Sequence, residues 1–247
     1  PIPDANFEAQ LIALGYDTNG ANGNILNTDA ALVTTLVTNR DDITNFDGLQ
    51  AFRNITKLNL DQNQFTTLPL GNLTALEELV FRNNEVLVSL DVTMNVNLKR
   101  LDMRSIDPVN TTLITEIDMS LNTRLEFIRI FNFQDLESIT LPQTKSLTHL
   151  EIYSNFDLVA DTSFYDNLEI LNLGVASGKL ITLSLPLVKT NLSFIRIFNG
   201  EISDFRGLAP FVNLERVLLY SNTEFIEFPV SNQLTYIQIF PHSFSTP

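Results

Sequence analysis

The hexapeptide Phe-Ile-Arg-Ile-Phe-Asn occurs twice, at 127–132 and 194–199. In extended backbone it puts Phe127, Arg129 and Phe131 on one face and the isoleucines on the other, and likewise Phe194, Arg196 and Phe198. Arginine between two aromatic rings is recognition chemistry. Its planar fork pairs with carboxylates, and both residue types are enriched where proteins meet partners. Tyr153, Arg216, Tyr220 and Tyr236 take equivalent positions in other segments and complete the candidate ligand-binding set.

A second group of oxygens lies near the N-terminus. Asp17, Asn19, Asn22 and Asn24, with Asp29 further on, resemble an EF-hand-type calcium loop with an inserted residue near Gly20-Ala21 and an aspartate in the last ligand place. The alternative is an Asn/Gly-rich turn leading into Asp29–Val33. Catalytic chemistry is sparse. Of the two histidines, His149 has only Glu151 two positions along, which gives neither a nucleophile nor a glycosidase carboxylate pair. No phosphate loop, His cluster or nucleophile elbow is present, so the chain reads as no enzyme. Cysteine is absent, which removes thiol catalysis, disulfides and Cys-based zinc sites.

These groups sit on a repeat. An apolar pattern Φ-x-x-Φ-x-Φ recurs about every 22 residues from Val33 through Ile55, Leu76, Leu98, Leu125, Leu147, Leu168, Leu192, Leu214 and Leu234. A fixed period in the twenties marks a leucine-rich-repeat solenoid, the α/β horseshoe class and here mostly β. About ten parallel strands should line the concave side. Short strands, 3₁₀ turns and irregular backbone should form the convex side, because second halves such as Val88–Val92 look extended. Asn63, Asn84, Asn155 and Asn222 follow strands and suggest a turn-satisfying ladder, broken at Ile106, Phe133, Ala176 and Gly200.

Residues 1–32 read as a helical cap: Asp4 caps a helix carrying Phe7, Leu11 and Leu14, and Gly15 ends it. Residues 33–240 are the repeats and 241–247 a tail. No polar capping unit follows Leu234–Phe240, so the native chain is expected to continue past residue 247; the alternative is a plug made by Pro241 and Phe244.

The segment from Ile2 to Asp17, followed by Ile43–Leu58 and by Leu90-Asp-Val92-Thr-Met-Asn95, resembles secreted and cell-surface Bacteroidetes leucine-rich-repeat proteins. Those proteins often place Cys where this chain has Asn59-Leu60 or Val80-Phe81, which makes it a divergent relative. The repeats also resemble, less closely, internalin-type adhesion domains. The resemblance implies a secreted or surface-attached bacterial protein, modular, often with a C-terminal sorting domain.

Charge points to recognition on the concave face, and a wide, shallow sheet surface favours a protein partner. The net charge is −14, yet the concave positions hold seven of the 15 basic residues and four of the 29 acids. The acidic balance opposes nucleic acid, and no apolar run is long enough for membrane insertion. The expectation is a non-catalytic recognition or adhesion module that binds a protein on its concave face. Its alternatives are an acidic polysaccharide on the same face, or a structural spacer whose aromatics only stabilise the sheet.

Overall fold

The structure, a computed structural model, describes the chain except residues 40–41, 85, 106–112, 186–190, 203–207, 221–227, 231–232 and 241–247. Side chains at 39, 199–202, 220 and 240 are also outside the description. Ile106, Asn222 and the tail with His242 and Phe244 therefore lie outside the described residues. The chain forms two compact units, one of residues 1–125 and 132–142, the other of 126–131 and 143–247.

The first unit opens with helix α1, Ala5–Ala13. Asp4 caps it, its Oδ1 accepting from the amides of Asn6 and Phe7 at 3.0 Å each. Gly15, at φ +73°, then turns the chain, its amide bonding back to Ile12. Phe7 and Leu11 are buried, but Leu14 is 39 % exposed: it falls at the C-cap, beyond the face that α1 buries. A single turn, α2 (Asn27–Ala30), precedes strand β1, Thr35–Asn39. Parallel strands β2 (Lys57–Asp61), β3 (Glu78–Arg82) and β4 (Arg100–Arg104) follow in order and in register, so that Lys57 meets Glu78 and Glu78 meets Arg100. On the opposite flank, β5 (Glu116–Asp118) pairs in parallel with 138–140.

Inside this unit the rings of Phe7, Phe46, Phe65 and Phe81 pack edge to face in succession, at 4.9, 5.1 and 6.3 Å between centroids. Each buried ring or leucine contributes roughly 1.5–3 kcal/mol by leaving water. Turns are held by asparagines. Asn63 donates to Thr38 Oγ1 and to the carbonyls of Leu60 and Asp61, while Asn84 accepts from the Asn63 amide at 2.9 Å. A second ladder runs along another edge: Asn95 donates to Leu70 and Leu73, and Asn122 to Val92 and Asn95, at 2.8–3.1 Å.

In the second unit the concave strands are β6 (Phe127–Phe133, its first five residues here), β8 (His149–Ser154), β10 (Ile170–Ser184), β11 (Phe194–Ile202), β12 (Arg216–Tyr220) and β13 (Tyr236–Phe240). The intervening β7 is Ser138–Thr140 of the first unit, and β9 is Leu158–Asp161. β10 is long because it crosses to the convex side. Its register with β11 shifts between Gly174 and Lys179, and Ile181–Ser184 then pairs with β9. Ile128, Ile130, Leu150, Ile152, Ile195 and Ile197 all point into the core. β13 differs: Ile237 and Ile239 are 47 % and 42 % exposed, since no further described turn packs on them.

Candidate functional site

Alternation fixes which side chains line the concave face of the second unit. Along β6 and β8 every second residue is buried, and Phe127, Arg129, Phe131, His149, Glu151 and Tyr153 are half-buried between them. Parallel register then lines up columns. Phe127 stacks on His149 at 5.5 Å, and His149 Nδ1 lies 2.8 Å from Thr148 Oγ1. Phe131 stacks on Tyr153 at 6.5 Å. Tyr153 next reaches Phe198, 6.3 Å away, although β10 lies between them. Gly174 makes that possible, since a Cβ there would sit 2.6 Å from Tyr153 Cδ2.

The arginines divide by environment. Arg129 lies 4.8 Å from the Phe127 ring centroid, and both its Nε, at 3.0 Å, and its Nη2 donate to Glu151 Oε1. Asn172 Nδ2 donates to the other oxygen of Glu151 at 3.3 Å. Arg196 lies 5.3 Å from the Phe198 ring, and its buried Nε has no hydrogen-bond partner among the described residues. Arg216 spans two rings, 5.7 Å from Phe194 and 5.5 Å from Tyr236. Tyr236 donates to Gln238 at 2.7 Å. Tyr220 pairs with Phe240 by backbone register, while both side chains lie outside the described residues.

The concave face of the first unit is ionic. Asp102, which alternation alone places in the open, is fully buried because three guanidinium groups cover it. Arg100 and the two nitrogens of Arg104 approach it at 2.8, 2.8 and 3.0 Å, and Arg82 at 3.4 Å. Asp61, 3.8 Å from Arg82, titrates above the ordinary aspartate range: burial raises its pKa and the nearby Asp102 adds to it, outweighing the lowering by Arg82.

The N-terminal loop is organised by a residue outside the calcium-type pattern. Glu8 of α1, 7 % exposed, accepts from the amides of Asn22, Gly23 and Asn24 at 2.8, 2.5 and 3.2 Å. Asp29 binds Thr18 through amide and hydroxyl, which lowers its pKa. Asn22 and Asn24 donate to the carbonyls of Asn19 and Asn22, both at 3.3 Å. Asp17 is buried; its Oδ1 accepts from the Asn19 amide and its Oδ2 has no hydrogen-bond partner among the described residues. No group of three or more His, Cys, Asp or Glu that could hold a metal occurs among the described residues. No described helix is long and apolar enough to cross a membrane.

The structure thus brings Phe127, Arg129, Phe131, Tyr153, Phe194, Arg196, Phe198, Arg216 and Tyr236 to one face of one unit. Sequence reasoning missed Glu8, Gly174 and the Asn95–Asn122 ladder. The ladder had a signal, asparagine three places before the leading leucines Leu98 and Leu125.

Stacked parallel strands at this period make the chain a leucine-rich-repeat solenoid. The functional domain of InlJ from Listeria monocytogenes, which includes a cysteine ladder, has the same fold: TM-score 0.62 and 24 % identity, over 97 % of this chain and 60 % of that one. The chain therefore spans less than two thirds of that domain. An internalin, InlF, also from Listeria monocytogenes, aligns at TM-score 0.42 and 20 % identity over 96 % of this chain and 78 % of that one. A leucine-rich-repeat protein of Leptospira interrogans gives 0.46 and 19 %, over 87 % and 68 %. No protein-family model matches, and no curated protein does.

Proposed function

We propose that this solenoid is a non-catalytic recognition or adhesion module of a secreted or surface bacterial protein, and that a partner protein docks on the concave face of the second unit. One observation carries the reading. Arg216 lies between the rings of Phe194 and Tyr236, and Phe131, Tyr153 and Phe198 form a ladder on the same face, so aromatic and cationic groups are already ordered by their neighbours. Preordered rings lose little freedom on docking, which favours affinity. A broad, shallow sheet face suits a protein better than an enclosed small molecule. The fold shared with the InlJ domain is consistent with this role, and the segment Ile2–Asp17 supports an origin among Bacteroidetes surface proteins.

The test replaces Phe194 and Tyr236 with serine and measures partner capture together with melting temperature. Lost capture at an unchanged melting temperature supports docking. A lowered melting temperature with every interaction intact supports the spacer reading. Retention on an anionic polysaccharide that falls steeply with salt supports the glycan reading.

Calcium at the N-terminal loop is a separate proposal, carried by the buried, unpartnered Oδ2 of Asp17. Titration with Ca²⁺ should raise the melting temperature of the native chain and leave the Asp17→Asn variant unchanged. Equal behaviour of the two removes the site.

A further inference from the structure

The two Phe-Ile-Arg-Ile-Phe-Asn copies are identical in sequence but differ in what the following strand offers. For Arg129, the residue 22 places on is Glu151, which takes both the Nε and Nη2 of the guanidinium. For Arg196, the same step leads to Leu218, its register partner on β12, and its partner on β10 is Asn172. Neither is an acid. The Arg196 Nε is buried and has no hydrogen-bond partner among the described residues, and the guanidinium lies 5.3 Å from the Phe198 ring. A buried cationic donor without an acceptor is costly and is satisfied when an acceptor arrives. Arg216 adds a second cation close by on the strand that carries Leu218, facing Phe194.

We propose that Arg196 is the seat for a carboxylate supplied by the partner: a glutamate or aspartate side chain of an acidic peptide segment, lying over Leu218 as Glu151 lies beside Arg129. Phe194 and Phe198 flank the seat and take the apolar residues next to that carboxylate. The Arg129–Glu151 pair is the internal template for the contact. Charge selects a peptide over a long polyanion. The seat holds one carboxylate between apolar walls, while the chain as a whole carries −14 and repels extended negative polymers. This inference rests on the docking face proposed above and adds the chemistry of its central contact.

The experiment uses the whole chain and a labelled synthetic peptide carrying one glutamate between leucines, with its glutamine counterpart and heparin as comparisons. Binding is read by anisotropy, and the Arg196 Nε–H resonance by NMR. The glutamate peptide should bind and shift that resonance, and the glutamine peptide should bind about tenfold more weakly. Leu218→Glu supplies the missing acid from within the chain; it should shift the same resonance without any peptide and weaken peptide binding by about tenfold or more. Arg196→Gln should weaken binding similarly, whereas Lys145→Gln, the same charge change at a remote exposed site, should alter it less than about twofold. Wild-type affinity in both Leu218→Glu and Arg196→Gln overturns the inference, as does heparin displacing the peptide from Arg196. If Phe194→Ser abolishes partner capture while Leu218→Glu preserves it, the docking face stands and the carboxylate seat falls.

Discussion

Replacing Asp102 with asparagine removes one negative charge from beneath three positive ones while nearly preserving volume. The carboxylate is fully buried and accepts at 2.8, 2.8, 3.0 and 3.4 Å from Arg100, Arg104 and Arg82. A hydrogen bond to a charged group contributes about 1.5–3 kcal/mol when shielded from water. The three arginine side chains are 32–40 % exposed, so each contact is discounted to roughly 1 kcal/mol. The three together give about 3 kcal/mol, at the low end of what breaking a buried ion pair costs. For a chain of this size that corresponds to a melting temperature lower by roughly 6–12 °C, measured by calorimetry. The variant should also recover stability as salt is raised, because screening relieves the repulsion among Arg82, Arg100 and Arg104. A loss under about 1 kcal/mol with no added salt dependence would refute the view that Asp102 holds this face together.

Three further perturbations test the scaffold. Asp4→Ala removes the α1 cap and the bonds from Thr44 and Asn45 to Oδ2, and should cost about 2 kcal/mol in chemical denaturation. Burial raises the Asp4 pKa, but the amides of Phe7, Thr44 and Asn45 and the Thr44 hydroxyl lower it more, so it titrates below the ordinary aspartate value. Its contribution is therefore complete above the unfolded value and lost as pH falls through the lower folded value, so Asp4→Asn should lose less stability on acidification than the native chain. Gly174→Ala forces the Tyr153 ring to turn, losing about 1 kcal/mol of ring contact against a gain of about 0.4–1 kcal/mol from a stiffer unfolded chain. Stability should hardly change while the Tyr153 and Phe198 ring resonances move; static rings would refute the close approach. Asn122→Ala strands the carbonyls of Val92 and Asn95 and should cost about 2–3 kcal/mol, against less than about 0.5 for Asn97→Ala, whose amide donates at the exposed surface.

The repeat, the strand faces and the cap were legible because burial follows a local period. The leading residues from Val33 to Leu214 are all buried, and Leu234, just before the last strand, is half-buried. Side-chain partnerships were not legible, because many join residues of different strands or loops, 22 places apart for Arg129 and Glu151. Even those two places apart on one strand, such as Arg100 and Asp102, depend on side-chain rotamers that no local period sets. Alternation put Asp102 on the concave face without revealing that its neighbours would roof it over. It could not show that Glu8, a polar position on a surface-type helix, turns inward to gather three amides of the loop whose spacing of oxygen-bearing residues resembles a calcium site. Nor could two identical hexapeptides disclose that one arginine meets an acid and the other a leucine. That difference lies wholly in strands β8 and β12.

The amide of Asn122 donates backward only, to carbonyls of the turn before it, and Asn95 does the same one turn earlier. These two coils are thus each locked to the one before by a clasp carried on the later coil. Whole coils can then be gained or lost in descent without rewriting those on either side, whereas an insertion of a few residues inside a coil pulls the clasp off its acceptors. Length variants of this scaffold should differ by entire coils, and its inner surface should lengthen in steps of one strand.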